Sequence, residues 1–144
     1  MRRAGPDGIL GLLLLLLATG CEDRVSQCNQ LVERLNPHTD AMIRRVEGLA
    51  RVESDPAAID RLLEAIDAAD GELAVLQLQD ERLAGFALRY RRQLGDARKS
   101  AQAMRDAVRD RDAHGLNEAA KQADAFLEAQ ATILEELNGY CGGG

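Results

Sequence analysis

The chain has 144 residues, of which 46% are hydrophobic, yet it holds only two Phe, two Tyr and no Trp. That length gives room for one modest core and not for two, and Leu, Ala, Val and Ile must fill it, a balance that favours helix over sheet. A formal net charge of -6 argues against nucleic acid as a partner, because phosphate binding needs clustered excess Lys and Arg.

Arg2 and Arg3 precede an apolar run from Ile9 to Leu17 that is broken only by Gly11. Such a run matches the h-region of an export signal and falls well short of the roughly 20 residues that span a bilayer as a permanent helix. Ala18-Thr19-Gly20-Cys21 follows at once. The succession resembles the lipobox of bacterial lipoproteins, in which small residues precede a cysteine. The resemblance implies diacylglyceryl transfer to the Cys21 sulfur, cleavage before Cys21 and acylation of the new amino group. Residues 1–20 are then a lipoprotein (type II) signal peptide and 21–24 a short lipidated tether. The family more often carries Leu where Ala18 stands. An ordinary secretory signal cut after Gly20 is the alternative, since Ala18 and Gly20 also form a small-x-small site.

Export to an oxidising compartment disfavours an unpaired thiol, and the chain has three cysteines. If lipid takes Cys21, Cys28 and Cys141 remain as a disulfide pair. Two buried free thiols are the competing reading.

Beyond the tether, apolar or small residues fall at Val25, Cys28, Val32, Leu35, Thr39, Met42, Val46 and Leu49, in alternating steps of three and four. This is the seam of a first helix over about 25–52. Pro37 lies inside it, where the missing N–H and the ring's crowding of the Glu33 carbonyl predict a kink or a restart capped by Asn36. Ser54-Asp55-Pro56 reads as a turn with Asp55 as N-cap, opening a second helix over 56–76 through Ile59, Leu62, Ile66, Ala69, Leu73 and Leu76.

The same rhythm runs on past Asp80, which taken literally gives one helix of coiled-coil length. A break at Gln77–Asp80 is preferred, with Asp80 capping a third helix over 80–111; Asp70-Gly71 is the competing break. Asp110 to Gly115 forms a polar turn, and a fourth helix over 115–138 carries Leu116, Ala119, Ala123, Phe126, Gln130, Ile133 and Leu137, ending at Asn138-Gly139. Residues 142–144 are expected to be a flexible tail.

Four helices of similar length with short turns predict an all-α, up-down-up-down antiparallel four-helix bundle over 25–141. Two features bear on that topology. An even helix count returns Cys141 to the end where Cys28 lies. The third helix is rich in Arg82, Arg89, Arg91, Arg92, Arg98, Lys99, Arg105 and Arg109, and the second and fourth helices offer acidic partners on both its flanks. Contact of Arg91, Arg92, Arg98 and Lys99 with anionic lipid is the alternative reading of that face.

No catalytic constellation emerges. Glu-x-x-His, Cys-x-x-Cys-His, Gly-x-Ser-x-Gly and phosphate-cradling loops are absent from the sequence. His38 and His114 sit next to Pro37 and Gly115, off any firm seam, and read as exposed polar residues; Met42 reads as core. No catalytic residue, metal or cofactor is therefore expected.

Cys28-Asn29-Gln30-Leu31, then Leu76 to Asp80 with Leu83, Phe86 and Tyr90, then Cys141, resembles small uncharacterised helical lipoproteins of myxobacterial type. The resemblance implies a break before Asp80 and a disulfide, and adds no activity. The expected function is a membrane-anchored, non-enzymatic structural or protein-interaction module; the alternative is a small-molecule-binding or sensory bundle, with its ligand between helices at Ala97, Ala101, Ala119 and Ala123. The expected partners are membrane lipid through Cys21 and an envelope protein. Glu22, where enteric retention signals place Asp, favours the outer membrane facing the periplasm over the inner membrane. The 53–56 and 110–115 turns, distal to the anchor, are the expected partner surface.

Overall fold

A computed structural model describes residues 19–52 and 54–142, so the expected signal peptide lies almost entirely outside the described residues, as does the Cys21 side chain. Four helices follow one another, α1 (Thr19–Gly48), α2 (Ala57–Ala74), α3 (Glu81–Asp110) and α4 (Ala113–Gly142), with a 3-10 turn at Leu49–Arg51. Among the described residues there is no strand.

The helices share one core. Leu31, Met42 and Leu83 are fully buried, and Ile59, Ile66, Tyr90, Leu94, Met104 and Leu137 nearly so. These are the three-four seam positions, where side chains stack on one face of each helix. α1 packs on α2, α2 on α3 and, most extensively, α3 on α4, while α1 and α4 meet less.

Three local expectations are corrected. Pro37 lies inside α1, which neither stops nor restarts there. Leu35, Thr39 and Met42 are buried on either side of it, and anchoring that face outweighs the ~3 kcal/mol that an interior proline costs. The Asp55 carboxylate does not cap α2; it pairs with Arg61, and Pro56 occupies the N-cap position without a side-chain bond. α4 starts at Ala113 and continues past Asn138-Gly139 to Gly142, because Asp112 caps it through a 3.0 Å bond from the Gly115 amide and Cys141 and Tyr140 are tied down at its far end.

Two further boundaries bear on the site. Residues 21–24, read as a tether, lie within α1. The α2–α3 connection spans residues 75–80, and Gly71 lies inside α2. Asp80 is the N-cap of α3, its Oδ1 accepting from the Arg82 and Leu83 amides at 2.9 and 3.0 Å. α3 ends on Arg111, a non-glycine residue in the left-handed conformation at φ 57°, whose amide is satisfied by the Ala107 and Val108 carbonyls.

Candidate functional site

The start of α1 and the end of α4 are joined by a Cys28–Cys141 disulfide, with Cα atoms 5.8 Å apart. One turn away, Gln27 Oε1 accepts from the Gln79 and Asp80 amides at 2.7 and 2.9 Å, satisfying backbone donors that the α2–α3 connection leaves without helical partners. Tyr140 donates its hydroxyl to the other Asp80 oxygen at 2.8 Å. Arg82 and Arg24 lie over the Tyr140 ring, 4.6 and 5.5 Å from its centroid. The Asp80 carboxyl is held below its ordinary range, chiefly by the Leu83 amide and also by Tyr140, while the bond to Asp80 pushes the Tyr140 phenol up.

Half-way along the core, Thr39 of α1, Tyr90 of α3 and Gln130 of α4 form a buried polar cluster. The Thr39 and Tyr90 hydroxyls are 3.1 Å apart, and the Gln130 amide donates to Thr39 at 3.3 Å and to the Tyr90 oxygen. Each polar atom has a partner inside the core, which makes burial tolerable and fixes the relative register of three helices. Burial pushes the Tyr90 phenol above its ordinary value, against the opposing effect of its two hydrogen bonds. All three residues lie on the seams read from sequence, but their mutual contact is set by how deep each sits in its helix, which a one-dimensional pattern does not carry.

The basic face of α3 meets carboxylates on both neighbours. Arg91 bonds Asp70 at 2.7 Å, Arg98 pairs with Asp67 and Arg105 lies 3.6 Å from Asp60, so residue numbers fall along α2 as they rise along α3. Arg89 reaches Glu136 of α4. Arg34 of α1 pairs with Glu72 of α2. These pairs are substantially exposed and each contributes about 0–1 kcal/mol, so their role is to select neighbours rather than to hold the core.

Away from the disulfide the α1–α4 seam parts. The space between the end of α1 and the first half of α4 measures about 680 Å³. Buried Val52, Met104 and Ala123 floor it, and the exposed alanines Ala50, Ala113 and Ala120 form its walls. Val46 and Leu49, expected on the core seam, are only half-buried because they border this opening. By contrast, the void beside Ala97, Ala101 and Ala123, close to where the sequence suggested a ligand, measures about 10 Å³. Ser100 donates to the Ala119 carbonyl at 3.0 Å there, and the small residues let α3 and α4 approach closely instead of leaving space.

His38 is half-buried on α1 and His114 is exposed in the first turn of α4. Among the described residues no three His, Cys, Asp or Glu side chains are grouped to hold a metal ion, and no helix is long and apolar enough to cross a membrane. No protein-family model, curated protein or solved structure matches the chain.

Proposed function

We propose that the chain is an exported lipoprotein whose residues 25–141 form an up-down-up-down antiparallel four-helix bundle, anchored through Cys21 and acting as a non-enzymatic structural or protein-interaction module in the cell envelope. The observation that carries the reading is the Cys28–Cys141 pair, which leaves Cys21 as the odd cysteine directly after Ala18-Thr19-Gly20. A pair of this kind belongs to an oxidising compartment, and an unpaired third thiol there needs another fate. The topology is supported by the links between α1 and α4, 28 to 141 and 39 to 130, and between α2 and α3, 70 to 91 and 60 to 105, each of which runs in opposite senses. The resemblance to helical lipoproteins of myxobacterial type is in keeping with it.

On this reading signal cleavage places the acyl chains on the first turn of α1, the disulfide end faces the membrane, and Glu22 favours the outer membrane over the inner. Intact-mass and membrane-fractionation measurements on the protein expressed in a bacterial host test the anchor. The expected mature chain begins at Cys21 with the mass of one diacylglyceryl and one acyl group, and Cys21→Ser abolishes that modification. A chain cut after Gly20 with an unmodified Cys21 would sink the lipoprotein reading. Cross-linking in membranes, followed by capture, is expected to return a reproducible envelope partner; consistent emptiness counts against the interaction role.

A second reading, a ligand-binding or sensory bundle, is favoured by the 680 Å³ opening between α1 and α4, which lies within the roughly 300–1,000 Å³ range of small-molecule sites.

A further inference from the structure

The opening between α1 and α4 has a definite chemistry. Its floor and walls are aliphatic, and its polar lining consists of Glu47 on α1, with Asp124 and Asn117 on α4. Among the described residues no Lys or Arg lines it. The charged groups of α4 nearest in sequence, Lys121 and Glu118, are paired with each other at 2.7 Å. The side of the groove formed by residues 113–127 is about 21 Å long at 1.5 Å per residue, enough for an extended apolar body.

We infer that this groove binds a small hydrophobic cation, its apolar body lying against Met104, Val52 and Ala123 and its positive charge between Glu47 and Asp124. Burial of the apolar body supplies the attraction, and the two carboxylates select the sign. The same carboxylates repel a fatty acid or another anionic amphiphile, whose head would stand beside them without a basic partner. The inference rests on the ligand-binding reading and is independent of lipidation at Cys21.

A matched pair of probes, tetraphenylphosphonium and tetraphenylborate, separates charge from shape because the two ions are nearly alike in size. Each is titrated calorimetrically into the full chain, purified in nonionic detergent that is matched in cell and syringe. The cation is expected to saturate at one per chain and to bind about tenfold or more tightly than the anion. Glu47→Gln combined with Asp124→Asn is expected to erase that preference. Ala120→Phe, at an exposed wall position that the core does not use, is expected to abolish binding of the cation with the thermal midpoint retained.

Equal or tighter binding of the borate overturns the cationic class while leaving a ligand site in the groove. Cation binding untouched by Ala120→Phe places the site elsewhere and overturns the proposal. Failure of both ions to bind removes the groove as a small-molecule site, and the ligand-binding reading falls with it.

Discussion

Tyr140, one residue before Cys141, donates its hydroxyl proton to Asp80, sixty positions upstream, across 2.8 Å. The two Asp80 oxygens serve different elements: one caps the first turn of α3, the other holds the last turn of α4. A residue legible in sequence as a helix cap is thereby also a tertiary contact beside the disulfide.

Asp80→Ala removes both functions and is expected to cost about 2 kcal/mol, from ~1 for the cap and ~1 for the Tyr140 bond. Urea unfolding measures it. Asp80→Asn keeps a capping oxygen and is expected to cost less.

The depressed Asp80 carboxyl has a pH signature of known sign. Because its folded value lies below the ordinary 3.8, its stabilisation is present above that pH and is lost as the pH falls through the folded value. Asp70, lowered by its hydrogen bond from Arg91, contributes in the same direction. Acid titration of the unfolding midpoint is therefore expected to show a smaller decline in Asp80→Asn than in the unaltered chain; identical declines would refute the assignment.

The buried cluster predicts the opposite sign at the other end of the scale. With the Tyr90 phenol raised above its ordinary value of 10.0 by burial, the stabilisation is present below pH 10 and is lost as the pH rises towards the folded value. Tyr90→Phe is expected to flatten the alkaline decline. At neutral pH, Gln130→Leu deprives the Tyr90 oxygen of its amide donor and is expected to cost about 1–2 kcal/mol. Adding Thr39→Val and Tyr90→Phe to it removes every partner at once and is expected to restore part of that loss.

Replacing both Cys28 and Cys141 by Ala opens a loop with a sequence separation of 113. The chain-entropy relation gives a loss of about 4 to 5 kcal/mol. Hydrogen exchange is expected to accelerate first in the last turn of α4, beyond Leu137, and in the first turns of α1.

Arg111 occupies a left-handed position that glycine adopts without a steric penalty. Arg111→Gly is expected to stabilise the chain by up to about 1 kcal/mol, a gain reduced by the greater freedom of glycine when unfolded. A drop in the thermal midpoint would show that the Arg111 side chain has a role of its own.

Periodicity located the core residues well because a seam depends only on spacing along one helix: Leu35, Met42, Ile66, Leu94 and Leu137 are all buried. Asp80 was legible for the same local reason, since a cap satisfies amides two and three residues ahead. Asp55 misled, because Arg61 competes for its carboxylate, and Pro37 misled because the core on both sides of it holds α1 straight through. Neither outcome is encoded in the turn residues themselves. The groove was not legible at all. Ala50, Ala113 and Ala120 leave a gap, whereas Ala97, Ala101 and Ala119 draw their helices together, and only the arrangement of the neighbouring helices separates the two cases.

The bond between Cys28 and Cys141 also changes the connectivity of the molecule as an object. Between these residues the polypeptide is a covalent ring, and both free ends leave it at the same place. A protease that cuts once in the 52–56, 75–80 or 111–112 turns releases no fragment; it converts the ring into two strands still bound through sulfur, with every helix retained. On a non-reducing gel such a nicked molecule keeps its full mass, and damage at the turns goes unseen until a reductant reaches the other end.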